Sequence, residues 1–105
     1  MNGIAMHVID HEPHCWFLLD DHARLFLDVN CHHSFFSCSV LVRLDAEELA
    51  DYQRCGRSYL HRLAERIHYS APILTASTSP YKARNLSSAY HLAVRQAIAD
   101  WAAQT

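Results

Sequence analysis

The sequence predicts an α+β fold: a three-stranded antiparallel meander followed by two amphipathic helices packed on one face, a β-β-β-α-α two-layer sandwich. Three observations carry this reading. Segments between His14 and Leu44 follow the period of two that strands require, and the breaks between them are short and polar. Beyond Asp45, apolar residues recur three and four apart, as on one side of a helix. At 105 residues, 50% of them apolar, the chain has the size of one domain and can bury a core without help from disulfides or metal. Residues 1–105 therefore read as a single domain.

The elements follow in order. His7, His11 and His14 surround a short apolar patch, and Pro13 prevents them from sharing one helical face, so residues 1–13 read as an arm or an edge strand. The run HCWFLL, His14 to Leu19, is apolar on both faces and is closed by Asp20, Asp21 and His22. A two-residue turn at Asp21 and His22 would direct Trp16 and Leu18 to the core, whereas a three-residue turn would direct Cys15, Phe17 and Leu19 there. Both registers stay open. The segment ARLFLDVN then alternates, with Leu25, Leu27 and Val29 on one side and Arg24, Phe26, Asp28 and Asn30 on the other.

Phe35 to Leu44 has the strongest pattern: Phe36, Cys38, Val40, Val42 and Leu44 fall in phase without a polar side chain among them. Its outward face reads Phe35, Ser37, Ser39, Leu41 and Arg43. Asp45 is a suitable helix N-cap, with Glu47 and Glu48 in the first turn and Glu48 at the capping-box position. Leu49, Tyr52, Gly56, Tyr59, Leu60, Leu63 and Ile67 continue that helix to about His68, with Gly56 permitting close approach to the sheet. Residues 70–85 contain two prolines and several hydroxyl residues and read as a long loop. The last helix starts from Asn85 or Ser87 as cap. It carries Leu86, Tyr90, Ala93, Val94, Ala97, Ile98 and Trp101 on one side and His91, Arg95, Gln96 and Asp100 on the other.

Charge and composition exclude several function classes. A formal net charge of −2 on 9 basic and 11 acidic residues offers no clustered basic excess for nucleic acid or an anionic membrane surface. The start of the chain has no signal-peptide pattern and the apolar runs are too short to span a bilayer, so the expected localisation is cytoplasmic. Nine histidines make the charge strongly pH-dependent. Cys15, Cys31, Cys38 and Cys55 lack C-x-x-C spacing and are expected to be reduced thiols.

CHHSFFSC, Cys31 to Cys38, is the one cluster with thiols and imidazoles side by side. Zinc bound by Cys31, His33 and Cys38 is one reading, with Cys15 or His14 as the fourth ligand. The spacing between the thiols is longer than structural knuckles favour, and both cysteines lie in the buried phase of their strands, where a thiol acts as a small hydrophobe. With Cys31 opposite Phe36, the two cysteines would be diagonal neighbours. The preferred reading therefore has no metal and no cofactor.

The outward face of the meander is the main candidate site. Asp28, Asn30, His32, Phe35, Ser37, Ser39, Leu41 and Arg43 mix polar groups with large apolar ones, as on a surface for a ligand, a protein partner or a second copy of the chain. An acyl-transfer triad from Asp28, His32 and Ser37 or Ser39 has the right residue types but no strained nucleophile turn and no oxyanion hole. Lys82 and Arg84, before the last helix, form a candidate anion site. The expected function is thus a small soluble non-catalytic domain acting through protein association or weak ligand binding at the outward sheet face. A zinc-binding module and a small hydrolytic or ligand-processing enzyme are the alternatives.

Overall fold

The computed structural model describes residues 5–22, 24–33, 36–70 and 78–104, with the side chains of residues 31–38 outside that description. The fold is α+β. Four strands, β1 (His7–Glu12), β2 (Trp16–Asp20), β3 (Leu25–His33) and β4 (Phe36–Arg43), precede three helices, α1 (Ala46–Cys55), α2 (Arg57–Ser70) and α3 (His91–Gln104). The sheet is antiparallel throughout, in the order β1-β2-β3-β4. The meander thus has one strand more than the three expected, because the segment before Pro13 pairs with β2 along its length. Pro13 ends β1 and the chain turns through Pro13, His14 and Cys15, with Cys15 N–H donating to the Glu12 carbonyl at 3.0 Å.

The register of β2 resolves the ambiguity in its facing. Trp16 opposes Val29 and Leu18 opposes Leu27, so these side chains share one face, while Phe17 and Leu19 point to the other with Phe26. Four residues, not two or three, separate β2 from β3, and the Asp21 N–H donates to the Arg24 carbonyl across them. Between β3 and β4 Cys31 opposes Cys38 and His33 opposes Phe36. The parity is the expected one, but the register is shifted by two residues from that drawn from the sequence, and the cysteines are direct rather than diagonal neighbours.

Both faces of the sheet are covered, which corrects the two-layer expectation. On one face Trp16, Leu18, Leu27, Val29, Val40, Val42 and Leu44 meet Tyr59, Leu60, Leu63, Ala64 and Ile67 of α2, with Tyr81 at the margin. On the other, Leu19, Phe26 and Leu41 meet Val94 and Ala97 of α3, joined by Met6 and flanked by Leu86, Tyr90 and Ile98. The helices therefore lie on opposite sides. The physical reason is in the side chains: Phe17, Leu19, Phe26 and Leu41 give the second face enough apolar area to require a cover, at roughly 1.5–3 kcal/mol for each large side chain buried.

The predicted single helix after Asp45 is divided in two. Asp45 and Glu48 form the reciprocal capping box, with Glu48 N–H to Asp45 Oδ1 at 2.8 Å and Asp45 N–H to Glu48 Oε1 at 3.0 Å. Gly56 ends α1 at φ 67° and ψ −144°, and a Cβ built there would meet nothing within 4 Å. Its role is to turn the backbone through a conformation that side chains disfavour, not to bring helix and sheet together.

The last helix begins at His91, later than the cap residues suggest. Asn85 instead ties the preceding turn to the sheet: its Oδ1 accepts from Ser87 N–H at 3.0 Å and from Leu41 N–H at 3.2 Å. Leu86 N–H donates to the Leu41 carbonyl at 2.7 Å. These bonds occupy the outer edge of β4 at Leu41. At the opposite edge, His11 N–H donates to Asp10 Oδ1 and the His11 carbonyl accepts from Arg57 Nη2, both at 2.8 Å. Each edge strand thus has a backbone position blocked by a side chain, a feature that discourages strand-to-strand association. Among the described residues no helix is long and apolar enough to cross a membrane.

Candidate functional site

Alternation along β3 places Asp28 among apolar residues, on the same face as Phe26 and toward α3. It is only 5% exposed. Its direct cross-strand neighbour is Leu41, and its diagonal neighbour Ser39 donates a side-chain hydrogen bond to it. Burial disfavours the charged form and the Ser39 bond favours it; burial dominates, and the carboxyl is pushed up to about 6. None of the ion pairs among the described residues includes Asp28.

Asp28 opens into a cleft of about 250 Å³ between the sheet and α3. Asp28, Ser39 and Leu41 come from the sheet, Ser87 from the turn before α3, and His91, Val94, Arg95 and Ile98 from α3 itself. His91 and Arg95 stand four residues apart on the polar side of that helix, so one flank of α3 presents both to the same opening. A carboxyl held near neutrality in a cleft, beside a hydroxyl, an imidazole and a guanidinium, has the makings of a ligand site.

Of the outward-face residues singled out from the sequence, Asp28, Ser39 and Leu41 converge on this cleft. Leu41 and Phe26 are fully buried under α3, so neither belongs to an exposed association surface. Asn30 lines a different cleft, and Arg43 lies at the far end of the sheet, exposed, near Asp20, His22 and Asp45. The side chains of His32, Phe35 and Ser37 lie outside the described residues, as do those of Cys31, His33 and Cys38. Sequence reasoning missed His91, Arg95 and Ser87. Their signal was the polar flank of the last helix, which gains meaning only once that helix is laid over Asp28.

The candidate anion site is used internally. Arg84 grips Glu48 with Nη1 to Oε2 at 3.0 Å and Nη2 to Oε1 at 2.5 Å, and Nη2 also donates to the Arg43 carbonyl at 2.9 Å. This fork joins the segment before α3 to the first turn of α1, and Glu48 is itself buried. Lys82 is exposed, and α3 starts well beyond both residues.

A second, larger cleft of about 460 Å³ lies on the α2 side and is lined by His14, Cys15, Trp16, Asn30, His61 and Glu65, among others. Two of its polar side chains, Trp16 and His61, meet each other. Trp16 Nε1 donates to His61 Nδ1 at 3.3 Å, which leaves the proton of a neutral His61 on Nε2, 3.9 Å from Glu12 Oε1. Glu12 Oε1 in turn accepts from Arg57 at 3.2 Å. Cys15 and Cys55 are free, exposed thiols. Among the described residues no three His, Cys, Asp or Glu side chains are grouped to hold a metal ion.

The smaller cleft is the stronger candidate because it holds a carboxyl that is only 5% exposed and belongs to none of the ion pairs among the described residues. No family model, curated protein or solved structure matches this chain.

Proposed function

We propose that this chain is a small, soluble, cytoplasmic ligand-binding domain, without catalysis of its own, that holds a small polar molecule in the cleft between the sheet and α3. The observation that carries the reading is Asp28. A carboxyl buried in this way is costly to fold around unless it is paired, and among the described residues only the Ser39 hydroxyl meets it. A ligand donating to the remaining lone pairs would offset that cost. The cleft has room for about eight waters at roughly 30 Å³ each, the scale of a small polar molecule.

The test is a screen of small polar fragments against the isotopically labelled chain by amide chemical-shift perturbation. Saturable shifts confined to Asp28, Ser39, Ser87, His91 and Arg95, lost in Asp28→Asn, are the expected result. If no fragment perturbs these residues, or if shifts survive Asp28→Asn unchanged, the ligand-binding reading falls.

A further inference from the structure

The two walls of the cleft carry opposite charge. The floor supplies a carboxylate, and the α3 wall supplies a guanidinium with an imidazole one helical turn away. Among the described residues, no ion pair includes Asp28, His91 or Arg95, although all three line the same opening. Four other arginines are ion-paired, Arg24 with Asp21, Arg54 with Asp51, Arg57 with Asp10 and Glu12, and Arg84 with Glu48; Arg43, Arg62 and Arg66, like Arg95, are in none of these pairs, but they do not line this cleft. Arg95 and Asp28 face one space without closing on each other, and that space is of ligand size.

Resting on the ligand-binding reading above, we propose that the occupant is a small zwitterion whose cationic nitrogen meets Asp28 and whose anionic group meets Arg95 and His91. An ammonium carries several donors and satisfies the Asp28 lone pairs that Ser39 leaves open. A carboxylate or comparable anion matches the planar donor fork of arginine, which accepts two oxygens side by side. Between the two ends, Leu41, Val94 and Ile98 offer apolar contact to a short alkyl segment. An uncharged ligand would leave both charges unmatched, and a simple amine or a simple acid would match only one. Lone cations would also meet the repulsion of Arg95, and lone anions that of Asp28.

Three probes separate these cases: n-butylamine, butyrate and γ-aminobutyrate, titrated calorimetrically into the full chain near neutral pH, with amide shifts reporting the site. The zwitterion is expected to bind at least about tenfold more tightly than either singly charged probe. Asp28→Asn should remove its advantage over butyrate, and Arg95→Gln its advantage over butylamine; Arg95 is exposed, so its replacement leaves the fold intact. Equal binding of butylamine and γ-aminobutyrate, or an Arg95→Gln protein that retains the full preference, overturns the zwitterion assignment while leaving a ligand site at Asp28. A cleft silent to all three probes also overturns it; the broader fragment screen then decides whether the ligand-binding reading falls with it.

Discussion

The Ser39 hydroxyl donates to the Asp28 carboxyl diagonally across the β3–β4 ladder, two residues along β4 from the directly opposed Leu41. This bond favours the ionised carboxylate, and burial under α3 opposes it more strongly, so Asp28 holds its proton up to about pH 6 instead of its ordinary 3.8. Between those values the native state binds more protons than the unfolded chain, and stability therefore falls as pH rises through that window and stays reduced above it. The cost at neutral pH is on the order of 2–3 kcal/mol.

Asp28→Asn removes that cost while keeping an acceptor for Ser39. The variant should melt higher than the natural chain at neutral pH, each kcal/mol regained raising Tm by about 4–8 °C. Below about pH 3, where the carboxyl is protonated in both states, the difference should vanish. Melting curves over this pH range check it; a variant less stable at neutral pH would show that the ionised carboxylate contributes to the fold. A stability gain paired with lost ligand binding is the trade expected of a residue retained for function.

Leu41→Ala tests the covering of the second face. An exposed residue on an open sheet would tolerate the change within about 0.5 kcal/mol. Leu41 is instead fully buried between the sheet and α3, and its truncation should cost about 2–5 kcal/mol in urea or thermal unfolding. Near-neutral behaviour would mean that α3 does not pack on this face in solution.

Gly56→Ala tests the break between α1 and α2. The open space around Gly56 removes any steric cost from neighbours, so the effect isolates the backbone: φ of 67° with ψ of −144° is glycine territory. A loss of about 1–3 kcal/mol is expected from equilibrium unfolding. A stabilised variant would indicate a continuous helix through this position, since alanine favours helix over glycine by about 1 kcal/mol.

Much of this architecture was legible along the chain. The alternation of Leu25, Leu27 and Val29 against Phe26 and Asp28, and of Val40 and Val42 against Ser39 and Leu41, places each side chain on the face it occupies. The capping box at Asp45 and Glu48 marks the start of α1 as read. The apolar residues read as one stripe, from Leu86 in the turn before α3 through Val94 to Ile98 on it, are the ones that pack. What it packs on was misassigned, although the both-faced apolar run of β2 already implied a sheet covered twice.

The site was legible in halves. Asp28 and Ser39 stood out as polar residues on a strand face, but nothing local to them indicates whether that face is open or covered. His91 and Arg95 read as an ordinary solvated flank, since a helix pattern reports which side is apolar and not which strand lies beneath it. Arg84, read as an anion ligand, spends its donors on Glu48, thirty-six residues earlier in the chain.

By itself the sequence determined the fold class, the facing of residues along β3 and β4 and the start of α1, because these depend on periodicity and capping within a few residues of each other. Only the tertiary structure decided that α2 and α3 take opposite faces, that Gly56 divides a helix, and that a carboxyl on β3 shares a cleft with a guanidinium on α3. Those outcomes depend on how apolar areas distant in sequence are divided between two sides of one sheet. That Asp28 and Arg95, sixty-seven residues apart, line one cleft leaves no local pattern to read.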